Sequence, residues 1–275
     1  MIIGLDVGGT HTDAVLLSNR GFEKKVKVPT ETANLFNTVL TGIQELLAET
    51  PPERIKRIVL STTLTTNAVV QQNTTPAGTI VSSGPGINPE SFRTDSNYFV
   101  AKGSIDHRGR EKEPIDENEI EKIAQALESK GIEYVAVVGK FSVRNPSHEI
   151  LIKRILNRRF KKIFLGHHVS GNLNFPRRIA TTYLNAVVYG MHKDFFTAVK
   201  DSLEQMGIKA PIMLLKADGG TMPLPTARKR PVESILSGPA ASVMGLVSMC
   251  DIALDSIILD IGGTAAGLRS HAALP

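Results

Sequence analysis

Two short stretches hold residue types that could do chemistry, and they are near-copies of each other. Asp6-Val7-Gly8-Gly9-Thr10 and Asp260-Ile261-Gly262-Gly263-Thr264 stand at opposite ends of a 275-residue chain. Each follows an apolar run, Ile2-Ile3-Gly4-Leu5 in the first and Ile257-Ile258-Leu259 in the second, so a β-strand delivers the aspartate to a glycine turn. The glycines remove side chains so that backbone N–H groups can approach an anion closely, and the threonine adds a hydroxyl donor. Facing each other, two such loops would clamp a polyphosphate from both sides. Asp6 and Asp260 would then hold Mg²⁺ through its waters, because that ion surrenders its hydration shell reluctantly. A single copy reads more readily as a plain hairpin turn, and it is the repetition that favours phosphate. Neither copy fits the P-loop or the dinucleotide fingerprint, which need Gly-Lys-Ser/Thr or a third spaced glycine. Thr12 and Asp13 continue the polar side of the first turn, and His11 is expected as a turn residue or hydrogen-bond partner rather than a base.

The elements that must position these loops can be read from periodicity. Residues 1–7, 12–17 and 24–28 read as strands separated by glycine turns, an antiparallel opening. Apolar residues at helical spacing (Leu35, Val39, Ile43, Leu46, Leu47) predict a helix over 35–47, and 57–61 returns to a strand. Strands over 79–82, 134–138, 162–165, 212–216 and 256–261 then alternate with helices over 116–130, 147–159, 176–206 and 238–247. That alternation predicts a layered α/β domain. The stretch 83–114 is richer in Gly, Pro, Ser and charge, and reads as an irregular excursion or hairpin.

Composition narrows the partners. With 41% hydrophobic residues the chain can bury a full core. No run approaches the roughly 20 apolar residues of a membrane span, and the first residues show neither a basic leader nor a cleavage site, so a cytoplasmic protein is expected. Cys250, in Val247-Ser248-Met249-Cys250, reads as a small core residue. The net charge of +5 is concentrated between Arg144 and Arg178, where Glu149 is the only acid. Nucleic acid is one reading of such a stripe. No reading motif accompanies it, and the charges fall on the outer side of a predicted helix, so a solvated face is expected and no nucleic-acid partner.

Further blocks extend the pattern: Ser61-Thr62-Thr63-Leu64-Thr65-Thr66-Asn67-Ala68, Asn145-Pro146-Ser147-His148-Glu149, Arg178-Ile179-Ala180-Thr181-Thr182-Tyr183-Leu184-Asn185-Ala186, Asp218-Gly219-Gly220 and Ser237-Gly238-Pro239-Ala240-Ala241. With Gly4 to Asp13, these blocks resemble the hydantoinase A/5-oxoprolinase family, within the actin, sugar-kinase and heat-shock-chaperone ATPase superfamily. The resemblance implies a ribonuclease H-like, actin-like mixed sheet with flanking helices. Residues 1–250 would be its first lobe, with an excursion near 83–114, and 251–275 would open a second lobe. It also implies an ATP-dependent hydrolase that opens cyclic amides, or acts on a carbonyl, by phosphorylating a weakly reactive oxygen. Asp6, Gly8, Gly9, Thr10 and Thr12 would form one phosphate loop and Asp260, Gly262, Gly263 and Thr264 the other, with ATP and Mg²⁺ between them. Thr62, Thr63, Thr66, Asn67 and Asp218 would face the small-molecule substrate. On residue type alone, Thr65 or Thr66 could instead cap a helix, and Asp218-Gly219-Gly220 could be a simple turn.

The match weakens after the second glycine pair. Family members continue with Ser/Thr-Thr-Asp and several hundred residues, whereas here the text runs Ala265-Ala266-Gly267-Leu268-Arg269 to Pro275. A truncated chain, inactive alone and completed by a second subunit or by self-association, is the expectation. The alternative is a non-catalytic actin-like interaction module, and a sugar or acetate kinase of the same fold stands behind both.

Overall fold

The computed structural model describes residues 1–250, 256–261 and 266–271. In chain order the elements begin β1 (Ile2–Val7), β2 (His11–Ser18), β3 (Gly21–Pro29), α1 (Leu35–Leu46), β4 (Arg57–Thr62), α2 (Leu64–Val70) and β5 (Ala77–Ser82). They continue with β6 (Tyr98–Ala101), β7 (Ser104–Ile105), β8 (Glu111–Glu113), α3 (Glu117–Ser129), β9 (Tyr134–Gly139), α4 (Ser147–Leu156) and β10 (Lys162–Leu165). After α5 (Gly166–Val169), α6 (Phe175–Val187) and α7 (Tyr189–Gln205) come β11 (Ile212–Leu215), β12 (Thr221–Pro223), α8 (Leu224–Ala227) and α9 (Ser237–Met249). The last two strands are β13 (Ser256–Ile261) and β14 (Ala266–His271).

Contacts divide the chain into two units: Met1–Asn73 with Gly190–Pro275, and Thr74–Tyr189. Unit 1 holds a mixed sheet ordered β12-β11-β4-β1-β2-β3. Strands β1 to β3 form the expected antiparallel meander, while β4 runs parallel to both β1 and β11. The alternation in β1 sends Ile3, Leu5 and Val7 to one face, where they meet Val39 and Ile43 of α1 and Phe195, Phe196 and Val199 of α7. Each such side chain contributes about 1.5–3 kcal/mol by leaving water, which fixes the register because a one-residue slip would expose the whole set. Asn34 starts α1 by accepting from the Asn37 N–H at 3.2 Å.

Unit 2 is built on an all-parallel sheet ordered β10-β9-β5-β6. Every residue of β5 and β9 is buried, as a strand covered on both faces requires. One cover is α3 and α4 through Ile120, Leu127, Ile152 and Leu156; Phe175 and Ile179 of α6 pack on Val81 and Val138. Asp116 caps α3 by accepting from Asn118 and Glu119. The mixed α/β architecture with flanking helices is therefore present.

Several local expectations change. The long helical region over 176–206 is present as two helices, α6 and α7, which part at Val188. The 83–114 stretch is more regular than expected: it supplies β6 to the parallel sheet and folds β7 and β8 into a ribbon. The basic stripe is the solvated face expected, with Lys153, Arg154 and Arg158 exposed, and some of its charges are paired. Arg159 bonds Glu121 and Glu128 of α3, Arg154 lies 3.9 Å from Glu117, Lys161 pairs with Glu133 at 2.6 Å, and Arg178 is fully buried. Cys250 is exposed rather than in the core. It ends α9, a helix apolar on every side of which only Ser237 and Gly238 are buried. Among the described residues no helix is long and apolar enough to cross a membrane.

Candidate functional site

The first glycine pair closes the β1–β2 hairpin. Gly8 N–H donates to the His11 carbonyl at 3.0 Å, and a Cβ at Gly8 would lie 2.8 Å from that oxygen, so the closure admits only glycine. Gly9 and the exposed Thr10 form the apex, where the His11 imidazole Nδ1 lies 3.3 Å from the Thr10 hydroxyl. Thr12, expected in the loop, turns inward instead. It is 1% exposed and shares a 2.9 Å hydrogen bond with the Thr30 hydroxyl, tying β2 to the end of β3.

Behind the turn a row of polar residues crosses four strands. Ser61 of β4 is the register partner of Asp6, Asp6 of Asp13, and Asp13 of Lys27. Register partners share a face, so two carboxylates stand opposite each other, an arrangement that costs stability unless positive charge is near. Lys27 supplies it to Asp13, at 2.8 Å. Ser61 is buried, and its hydroxyl has no partner among the described residues. The sequence reading stopped at Asp6. A two-strand reading of the glycine hairpin would have placed Asp13 opposite it, since residues equidistant from a tight turn pair.

Thr63 sits where three segments meet. Its N–H donates to the Val7 carbonyl at 3.2 Å, and its hydroxyl oxygen lies 3.8 Å from the point a Gly8 Cβ would occupy. On its other side a Cβ at Gly238 would fall 2.4 Å from the Thr63 methyl, so the N-terminus of α9 can approach only because residue 238 is glycine. The neighbouring hydroxyls hold this junction together. Thr62 donates to Val7 at 3.2 Å and accepts from Leu64 N–H, while the Ser237 hydroxyl donates to the Thr62 carbonyl at 3.1 Å. Thr66 accepts from the Leu236 N–H at 2.8 Å. Leu236 has φ +67°, a left-handed conformation costly for a branched side chain, and that hydrogen bond helps to hold it. Thr62 and Thr66 are thus buried and engaged with backbone, whereas Thr63 and Asn67 remain partly open. Thr63 is the N-cap residue of α2 without a side-chain cap bond, the Leu64 N–H donates to the Thr62 hydroxyl, and Thr65 and Thr66 lie within the helix.

Asp218 occupies the turn of the β11–β12 hairpin. Its carboxylate accepts from Gly220 N–H at 2.9 Å and pairs with Lys216 at 2.7 Å, and Gly219 takes φ +79°. The Lys216 ammonium, then the Gly220 N–H, hold the Asp218 carboxyl below the usual range. An open hollow of about 800 Å³ lies elsewhere in unit 1, near Met1, Arg20, Glu23 and Arg54, at the opposite end of β1 from Gly8.

The second motif copy is described only in its strands. Asp260 lies in β13, and Gly262, Gly263 and Thr264 fall outside the described residues. The hairpin nevertheless repeats the first. Val7 pairs with Thr12 and Ile261 with Ala266, so each aspartate faces the residue seven positions on: Asp13 for Asp6, Gly267 for Asp260. Among the described residues no cluster of three or more His, Cys, Asp or Glu forms a metal site.

Known proteins resemble this chain in sequence and fold. Caprolactamase subunit alpha of Pseudomonas jessenii is 27% identical over 293 aligned positions, covering 96% of this chain and 42% of the relative. The 5-oxoprolinase of Saccharomyces cerevisiae is 24% identical, covering 98% of this chain and 26% of its own length. The chain thus spans less than half of these relatives. The crystal structure of the ATP-dependent caprolactamase of Pseudomonas jessenii superposes with a TM-score of 0.75 at 25% identity, covering 98% of this chain and 43% of that one. Nucleotide-free acetone carboxylase, at 20% identity and a TM-score of 0.86, shares the fold over 99% of this chain and 44% of its own. Residues 2–160 match the hydantoinase/oxoprolinase N-terminal region and residues 178–270 the hydantoinase/oxoprolinase region that follows it, and on these matches the chain belongs to the hydantoinase/oxoprolinase family.

Proposed function

We propose that this chain supplies the first phosphate-binding half of an ATP-dependent enzyme that activates an amide or carbonyl oxygen by phosphorylation. The observation that carries the reading is the meeting of the Gly8 turn, Thr63 and the N-terminus of α9. The apex of a glycine turn and the positive end of a helix meet there, and neither brings a negative charge. Gly9 and Thr10 would bind phosphate oxygens on the turn that Gly8 closes, with Thr63 and Asn67 toward the substrate side. Asp6 would hold Mg²⁺ beside them, where it stands in register with the carboxylate of Asp13. The magnesium ion would offset the charge of the phosphates. Asp260, Gly262, Gly263 and Thr264 would form the matching loop, which the shared hairpin register supports. The fold would then be the ribonuclease H-like lobe of the actin superfamily, and ATP consumption fits a cytoplasmic setting. Thr12, Thr62 and Thr66 leave the set of ligand-facing residues, since their hydroxyls are used within the fold.

Activity would need more polypeptide than this chain. Relatives include an enzyme named as a subunit, and α9 offers Met244, Leu246, Val247 and Met249 as an exposed apolar surface. That surface also favours the second reading, a non-catalytic actin-like interaction module. One experiment separates them: the assembly captured from its source on a tagged copy of this chain is tested for ADP release with a lactam, a cyclic imide, and a ketone plus bicarbonate. Substrate-stimulated release that disappears in Asp6→Asn supports the enzyme. Release unchanged by that substitution removes Asp6 from the site, and an assembly without any ATP turnover leaves the interaction module.

A further inference from the structure

In unit 2 the two motif blocks that the nucleotide reading does not use, one around Glu149 and the other around Arg178, converge on one peptide. Arg178 is fully buried, and among the described residues no carboxylate hydrogen-bonds it. Its guanidinium donates to the carbonyls of Gly139 at 2.5 Å, Lys140 at 2.6 Å and Asn172 at 2.6 Å. Burial pulls its pKa down, and Glu149 opposes that pull. Glu149, itself fully buried, accepts from the Gly139 N–H at 2.9 Å and from the backbone and ring of His167. The Lys140 N–H donates to the Ser82 carbonyl at 2.9 Å. Two desolvated ionic groups are thus spent on fixing the Gly139-Lys140 backbone, at the carboxyl end of β9 and beside that of β5. Such expense is typical of a support for a presented side chain, and open parallel sheets bind ligands beyond their strand ends.

The side chain presented is Lys140. It borders a cavity of about 270 Å³ lined also by Ser83, Ser104, Asp106, Lys112 and Phe141. Its ammonium donates to the Pro85 carbonyl at 2.5 Å and lies 5.5 Å from the Phe141 ring centre, leaving two of its three donors for another group. The Ser83–Gly86 loop can curl around it because Gly84 and Gly86 take φ +62° and +105°, and a Cβ at Gly84 would fall 2.3 Å from that of Ser104. Asp106 does not compete for the ammonium. One carboxylate oxygen accepts from the Arg108 and Arg110 N–H groups at 2.8 and 3.0 Å, and the other lies 3.6 Å from Lys112.

We infer that this cavity is a binding site for a compact oxyanion, a phosphate or a short-chain carboxylate, held by the ammonium groups of Lys140 and Lys112 and the hydroxyl of Ser104, beside a Ser83 hydroxyl that donates to the Gly84 carbonyl. The cavity lies below the usual size of drug-like pockets, about 300 Å³ and more, and so selects a small ligand. The inference goes beyond the nucleotide reading and does not depend on it. The test titrates the purified chain with inorganic phosphate and, separately, with succinate, reading heat and the shifts of methyl-labelled lysines. Saturable binding of either probe that weakens at least tenfold in Lys140→Gln, weakens less in Lys112→Gln, survives in Lys140→Arg and persists in Gly8→Ala supports the site; the tighter probe identifies the anion class. Binding lost in Gly8→Ala but kept in Lys140→Gln assigns the anion to the Gly8 turn and overturns the inference, as does failure of both probes to saturate the wild-type chain. Should Lys140→Gln melt below the wild type without anion, Lys112→Gln and Lys140→Arg decide: unchanged binding in the first, or none in the second, overturns it.

Discussion

Where β1 and β4 of unit 1 end, the chain is closed by glycines and hydroxyls, whereas β9 and β10 of unit 2 end on a buried carboxylate and a buried guanidinium. The contrast extends through the interiors. Among the described residues the buried polar groups of unit 1 are hydroxyls and one imidazole, His192, while unit 2 buries Glu149 and Arg178 entirely. Neutral donors on a glycine frame cost little to desolvate and suit a ligand that brings its own charge. Buried ions cost several kcal/mol each, and their return is geometry held in one arrangement. The first construction suits a loop that must accept phosphate and release it; the second suits a rigid platform.

Breaking the ionic platform should give the largest effect. Arg178→Met removes the donor to three carbonyls and leaves Glu149 without its compensating charge. We expect a loss of about 3–5 kcal/mol in urea unfolding, the range for a buried ion stripped of its partner. Hydrogen exchange should rise in β5, β9 and β10 first. A loss below about 1 kcal/mol would show that the guanidinium is a passenger.

Unit 1 is exposed to acid through His192 instead. Its ring packs edge-on against Phe196, its Nε2 has no partner among the described residues, and burial holds its pKa down at about 3. The unfolded chain therefore takes up a proton near pH 6.5 that the folded state refuses. The stabilisation is complete above pH 6.5 and is lost as pH falls towards 3, reaching about 2 kcal/mol by pH 5 at roughly 1.4 kcal/mol per unit. In His192→Phe that slope should vanish from a series of unfolding curves, and an unaltered slope would place the acid sensitivity elsewhere.

The glycine contacts sharpen the contrast at intermediate cost. Gly238→Ala puts a methyl 2.4 Å from that of Thr63, between a helix and a strand end with little room to part. Overpacking of this kind costs about 1–3 kcal/mol. Because α9 would be pushed off the turn, nucleotide-dependent activity of the assembly should fall further than stability does. Gly245→Ala on the same helix, where a Cβ meets nothing, is the control and should be neutral or slightly stabilising.

What was legible in the sequence follows the same division. Strands and helices of both units were readable because their burial is one-sided or their apolar runs bounded: β10 and β13 lie where the pattern put them, and α1 and α3 fall within a residue or two. The glycine turn was readable because its chemistry is local, carried by adjacent residues. Local patterns could not show that Thr12 and Thr66 spend their hydroxyls inside the fold, since their partners Thr30 and Leu236 are distant in the chain. Nor could they show the Glu149–Arg178 platform, whose members meet only through backbone groups of a third segment. Arg178 sat within a basic stripe, and charge at a helix surface is indistinguishable by composition from charge buried on carbonyls.

The smallest expected change in stability belongs to the residue with the largest expected role. Asp6 and Asp13 stand opposite each other, and Lys27 pairs with Asp13. Asp6→Asn removes one of two like charges, a change worth a few tenths of a kcal/mol in favour of the fold, in the range for cross-strand pairs of roughly 0.2–1 kcal/mol. Substrate-driven ADP release by the assembly should nevertheless be abolished. Asp13→Asn relieves the same repulsion and frees Lys27, but Asp13 lies outside the Asp-x-Gly-Gly-Thr motif, so activity should survive. If Asp6 were a structural member of the row, the two substitutions would behave alike in unfolding and in turnover. Opposite behaviour in turnover with matched stability is therefore the signature of a carboxylate kept for a cation.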